Sequence, residues 1–179
     1  IEGNTRLQIY KRFLRDNEKG DWTKIPANVH EDLEPKLIES IRIHAHIVGT
    51  REWNAYSKAK YLHDKSECEF LSIKEIVGFI GGNASEVKKD IQAYKDMENH
   101  YRKAVDDKDD GTDFNPSRFS LWAELQVGDR MKAIHDANFD RDTVAEWDIE
   151  GKFDPIMKFR QIQLILENSE SKRVFLRHV

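Results

Sequence analysis

The chain has 179 residues, 29 Lys+Arg against 33 Asp+Glu, and a formal net charge of −4. That length suits one mid-sized domain or two small ones, and 4 Trp, 9 Phe and 5 Tyr are enough bulk to exclude global disorder. The charge excludes a generally basic nucleic-acid binder while leaving room for a local DNA-reading surface.

Helical periodicity dominates the first third. Leu7, Tyr10, Phe13 and Leu14 recur at i, i+3, i+6 and i+7, which predicts a helix over residues 4–18 with Gly20 as its stop. Ile25-Pro26-Ala27-Asn28-Val29 is short, has a proline and is bounded by polar residues, and reads as an edge strand. Pro35 opens a helix with Leu37, Ile38, Ile41, Ala45 and Val48 on one face, ended by Gly49. Asn54 is placed to cap a helix from Ala55 to His63.

The most informative stretch is Leu71 to Tyr94. Ser72 and Glu75 have the spacing of a capping box, and Ile73, Ile76, Val77 and Ile80 line one face behind it. Gly81-Gly82-Asn83 supplies a tight turn. A second helix follows with Val87, Ile91 and Tyr94 inward. The Val77–Gly81–Val87 spacing is that of a helix-turn-helix, whose second helix enters the major groove. Its outer surface carries Asn83, Ser85, Glu86, Lys88, Lys89 and Gln92. Ser85 and Gln92 have groups that hydrogen-bond bases or phosphates, and Lys88 and Lys89 suit phosphates. Glu86 and Asp90 oppose binding or accept from cytosine amines. Lys58, Lys60 and His63 on the preceding helix would add backbone contacts.

The stretch 106–116, Asp106-Asp107-Lys108-Asp109-Asp110-Gly111-Thr112-Asp113 followed by Asn115-Pro116, reads as an acidic, solvated linker. It fails as a calcium loop, because Lys108 stands at the third ligand position and Ser117 at the twelfth. Beyond it, Phe119, Leu121, Trp122 and Leu125 predict a helix, Met131 and Ile134 another, Val144 and Trp147 a short third. Pro155 opens a last long helix with Ile156, Phe159, Ile162, Leu164, Ile165 and Leu166. Trp53, Trp122 and Trp147 are expected as core or interface anchors. Cys68 is the one cysteine, which excludes an intrachain disulfide and fits a reducing, cytoplasmic setting. Residues 106–179 carry a net −5, from 11 basic and 16 acidic groups, so this third is the least suited to a phosphate backbone.

At the start of the chain, Ile1-Glu2-Gly3 resembles the tail of a strand, with a helix beginning at Asn4. A glycine between a strand and an open helix N-terminus presents free N–H groups to an anion, and Arg6 adds a charged fork one turn in. The plain alternative is an exposed Arg behind an ordinary helix start. His44 and His46, two apart on a helix, point about 200° from each other and do not share one ion.

Taken together, these motifs resemble the ParB-like superfamily. Its members carry a strand–Gly-x-x-Arg–helix turn, a connecting helix and a helix-turn-helix. Ile1 to Leu7 is similar to that turn, Trp53 to Leu62 to the connecting helix, and Ile76 to Gly81 with Val87 to the helix-turn-helix. The likeness covers about residues 1–104. It implies residues 1–50 as the C-terminal half of a ParB-like phosphate- or nucleotide-binding α/β domain and 51–105 as a helix-turn-helix DNA-binding domain; composition and periodicity add 106–116 as the linker and 117–179 as a helical C-terminal domain, which makes the chain mainly α. The likeness also implies that strands of the first domain precede Ile1. The function implied is binding of double-stranded DNA in the cytoplasmic setting that the single cysteine fits, and a homodimer is expected because one helix-turn-helix rarely supplies enough contacts alone. The phosphate or nucleotide turn would be Gly3, Asn4, Thr5 and Arg6, engaging a nucleoside triphosphate in the full-length protein.

The departures are specific. ParB proteins of chromosome partitioning carry Gly-Glu-Arg-Arg at the turn and Glu-Asn-x-x-Arg on the next helix. Here Asn4 and Thr5 replace the middle pair, and His46-Ile47-Val48-Gly49-Thr50 retains none of the three metal- and triphosphate-binding residues. The nucleotide turn is therefore degenerate. The alternatives are a nucleotide-dependent enzyme of the same superfamily (nuclease, nucleotidase or phosphotransferase) and a helical interaction protein that reads no DNA.

Overall fold

A computed structural model describes residues 4–43, 53–68, 71–108 and 111–178. The chain divides into two compact units, Ile1–Glu52 and Trp53–Val179. The structure is mainly helical, and no strand occurs among the described residues.

In the first unit, α1 spans Asn4–Arg15 and α2 spans Pro35–Ile43. Trp22 folds back on α1, with its ring 4.7 Å from Phe13 and 5.3 Å from Tyr10, and its indole N–H donates to the Glu18 carbonyl at 3.0 Å. Gly20 makes this possible: its φ is +141°, and a Cβ there would meet the Trp22 ring at 3.0 Å. The edge strand expected at Ile25–Val29 is not formed; the segment has no regular structure. Strand N–H and C=O groups need a neighbouring strand, and the described residues offer none. The strand expected at Ile1–Gly3, the end of the second helix at Gly49 and the His44–His46 pair lie outside the described residues.

The second unit begins with α3, Ala55–His63, capped by the Asn54 side chain accepting the Ser57 N–H at 2.8 Å. It continues into a π-helical turn, Asp64–Cys68. Next comes α4, Ile73–Ile80, closed at its start by the Ser72–Glu75 capping box. Gly81 and Gly82 then take φ of +75° and +81°, a region open to glycine at little cost. The helix α5, Ala84–Asp96, follows and passes through a π-helical segment, Met97–Arg102, into α6, Lys103–Asp106. The remainder is α7, Phe119–Leu125; α8, Arg130–Asp136; α9, Arg141–Ile149; α10, Ile162–Glu167; and α11, Ser169–Phe175.

One core runs through this unit, from Ala59 on α3 through Tyr94, Met97, Tyr101, Trp122, Ile134, Val144 and Trp147 to Phe159 and Leu166. The segments 51–105 and 117–179, expected as separate domains, thus contribute to a single core. The acidic stretch between them is a connection inside that unit, because Phe114 anchors it. The Phe114 ring lies 5.6 Å from both Tyr56 and Tyr101, and the Arg102 guanidinium sits 3.6 Å over its face. Arg102 also donates to Glu98, and Tyr56 donates its hydroxyl to Glu98 at 2.7 Å. Burial first, then that hydrogen bond, pushes the Tyr56 hydroxyl up to about 12.

The last long helix expected from Pro155 is broken. A 3-10 stretch, Ile156–Gln161, leads into α10, and Asn168 turns to extended backbone and caps α11 through the Ser171 N–H at 2.9 Å. An Asn side chain competes with helical hydrogen bonding and favours a new start. Phe159, Ile162 and Leu166 are buried, whereas Leu164, expected in the same helix, is 70% exposed.

Candidate nucleic-acid interface

The helix pair α4–α5 is built by local chemistry at each end. The Asn83 carboxamide oxygen accepts the Glu86 N–H at 2.9 Å, so this residue, expected on the outer surface, caps α5. Val87, Ile91 and Tyr94 are all buried and lie on one side of the helix. With about 100° of rotation per residue, Lys88, Gln92, Ser85 and Lys89 fall within an arc of about 100° on the opposite side. All four are exposed. Neither Lys88 nor Lys89 is held by a carboxylate among the described residues. Glu86 is exposed beside the turn, its carboxylate 3.7 Å from where a Cβ on Gly82 would stand.

The lysines on α3 are engaged. Lys60 donates to Asp64 at 2.5 Å, and that hydrogen bond raises its ammonium above the usual range. It lines a shallow groove with Trp53, Ser57, Tyr61 and Asp64. Lys58 is half-buried. Burial pushes the Asp90 carboxyl up, Lys58 opposes that shift, and Glu86 adds to it. Both lysines therefore interact with a carboxylate, whereas none among the described residues pairs with Lys88 or Lys89. His63 pairs with Asp64 at 3.2 Å and packs on Tyr94 at 4.9 Å, which directs it inward.

The outer arc ends where other elements cover α5. Asp96 lies one turn beyond Gln92 and is 3% exposed. Its Oδ1 accepts from Gln92 Nε2 at 2.7 Å, its Oδ2 from Gln126 Nε2 at 3.0 Å, and Arg141 Nε lies 2.8 Å from Oδ2. The Gln92–Asp96 spacing of four is visible in the sequence as a pair that meets on a helix face. Gln126 and Arg141, from the ends of α7 and α9, carry no such signal. Lys95 is likewise held, by Glu67 at 2.6 Å.

Of the expected nucleotide turn, Gly3 lies outside the described residues. Asn4, Thr5 and Arg6 form the first turn of α1 and are exposed. This places them apart in sequence and in unit from the α5 surface. The chain matches no protein-family profile, no curated protein and no solved structure.

Proposed function

We propose that the protein is a ParB-like DNA-binding protein that reads double-stranded DNA with α5. In this reading α4 braces the pair and α5 enters the major groove as a recognition helix. The observation that carries the reading is the outer arc of α5: two lysines without a carboxylate partner among the described residues and two hydrogen-bonding side chains on one exposed face, opposite a buried apolar anchor. Lysines supply sequence-independent phosphate contacts, whereas Ser85 and Gln92 have the chemistry for base edges. A homodimer would double the contacts that one such helix makes. The turn at Gly3–Arg6 would hold a phosphate or a nucleoside triphosphate through helix N–H groups and Arg6.

The test is a salt titration of duplex binding followed by fluorescence anisotropy. Each phosphate contact contributes about 0.9 to the slope of log K against log salt. Replacing Lys88 and Lys89 together with Ala is expected to reduce that slope by about 2. An unchanged slope excludes α5 as the phosphate-contacting helix.

A second reading, a helical interaction protein, draws on the first unit. Leu14 on α1 and Leu37 and Ile41 on α2 are exposed, as a surface for another protein would be. Binding that is lost with these residues and indifferent to Lys88 and Lys89 would favour it.

A further inference from the structure

Gln92 is the one side chain on the α5 arc whose orientation is fixed from behind. Asp96 is buried and sits against the Arg141 guanidinium, so it is an acceptor only. Its Oδ2 faces Gln126 and Arg141, and its Oδ1 takes the Gln92 amide at 2.7 Å. A carboxamide turned the other way would set its oxygen against a carboxylate oxygen with no proton between them. The chemistry of the partner therefore settles which end of the amide points in. One amide N–H is committed to Asp96. What remains is the Oε1 acceptor with one N–H donor beside it.

Resting on the proposed DNA-reading role of α5, we infer that Gln92, locked by Asp96, selects adenine at one position of the DNA site. An acceptor next to a donor complements the adenine major-groove edge, with N6–H₂ as donor and N7 as acceptor. Guanine and thymine present no donor at that edge where the Gln92 acceptor would fall. Cytosine presents a donor without the adjoining acceptor. Asp96 makes no base contact and acts as a positioning residue, held in turn by Gln126 and Arg141. An unlocked glutamine loses rotamer entropy on binding and can turn its amide to suit other bases. The hydrogen bond to Asp96 reduces both freedoms.

The experiment selects duplexes from a randomised pool with the parent protein, then measures affinity with each base at every selected position. One position is expected to require adenine, with other bases weaker by about 5- to 150-fold, the worth of a single bidentate contact. Substituting purine, which lacks the N6 amine, or 7-deazaadenine, which lacks N7, should each lose part of that preference. Gln92→Ala should bind all four bases within about threefold while keeping the parental salt slope. Asp96→Asn, which can present either end of its own amide, should flatten the preference; if it does not fold, the analogue series on the parent decides the case by itself. Full retention of the preference by Gln92→Ala, or selection of guanine or thymine at the position that Gln92 governs, overturns the inference and leaves DNA binding by α5 standing. Absence of any salt-dependent binding by the parent overturns both.

Discussion

Val87 is the residue on which the helix pair depends. It is 3% exposed and one position from Lys88, which is exposed. Val87→Ala removes two carbons from a packed site. At about 0.8 kcal/mol per buried carbon, transfer alone costs about 1.6 kcal/mol, and unfilled space brings the total to about 2 kcal/mol. For a unit the size of Trp53–Val179, unfolding entropy of about 2.1 cal/mol/K per residue converts that into a fall in Tm of about 7 °C. Val87→Asp should cost several kcal/mol more, because it buries a carboxylate with no partner supplied, and should abolish the cooperative transition. Lys88→Ala is the matched control and should stay within about 0.5 kcal/mol of the parent. The assay is thermal unfolding followed by far-ultraviolet circular dichroism. Equal midpoints for Val87→Ala and Lys88→Ala would refute the assignment of Val87 as an anchor, and with it the orientation of the α5 arc.

Two glycines near the turn should respond with opposite signs. Gly81 holds φ of +75°, so Gly81→Ala should destabilise by about 1 to 2 kcal/mol, whereas Gly78 lies within α4 with no atom within 4 Å of an added Cβ, so Gly78→Ala should stabilise by about 1 kcal/mol; urea midpoints check both. Arg118 bridges Asp148 and Asp154, donating to Asp148 through Nε at 2.6 Å and to Asp154 at 2.6 Å, while the Trp122 indole also donates to Asp148 at 3.2 Å. Arg118→Ala leaves a buried carboxylate without its cation and should cost about 3 to 5 kcal/mol at neutral pH. Burial raises the Asp148 carboxyl above its ordinary value and Arg118 opposes that rise. Ionisation of Asp148 therefore weakens the fold as pH climbs through its raised value, more so without Arg118. The gap between parent and variant should widen from about pH 4 to about pH 7 in urea titrations; a constant gap would mean that Arg118 acts through packing alone.

The features legible in the sequence are those that neighbouring residues decide. Asn54, the Ser72–Glu75 pair and the Gly81-Gly82 turn each act over a few residues, and they set the starts of α3 and α4 and the break before α5. Asn83 stands out in the sequence as a surface residue, yet its carboxamide is engaged in capping, since an Asn just ahead of a helix meets the helix N–H groups before it meets a ligand. The mainly α class follows from periodicity, as does the inward side of α5. A strand at Ile25–Val29 fails because an apolar stretch says nothing about whether a second strand exists to pair with it. Leu164 is exposed because it stands two residues from both Ile162 and Leu166, about 200° round the helix from each. The acidic connection is recognisable from its aspartates, while its place in the fold is set by Phe114, a residue just beyond them.

The charge distribution takes on a different meaning once pairs are assigned. The acidic surplus of residues 106–179 suggests a third of the chain that stays away from phosphate. Several of its carboxylates instead hold the second unit together: Asp148 and Asp154 on Arg118, and Glu124 on Arg130 and Arg160. The basic residue Arg141 is committed to Asp96 in the same way. Such pairs have little field left beyond a Debye length of about 8 Å at physiological salt. Lys88 and Lys89, by contrast, are exposed on the α5 arc with no carboxylate among the described residues to neutralise them. A chain of net charge −4 can therefore present a basic face, because what a phosphate meets is the local unpaired charge. The same pairing gives the C-terminal helices a part in the proposed recognition. Gln126, which ends α7, and Arg141, which opens α9, fix Asp96, and Asp96 fixes the single side chain on that face whose hydrogen-bonding pattern is already chosen.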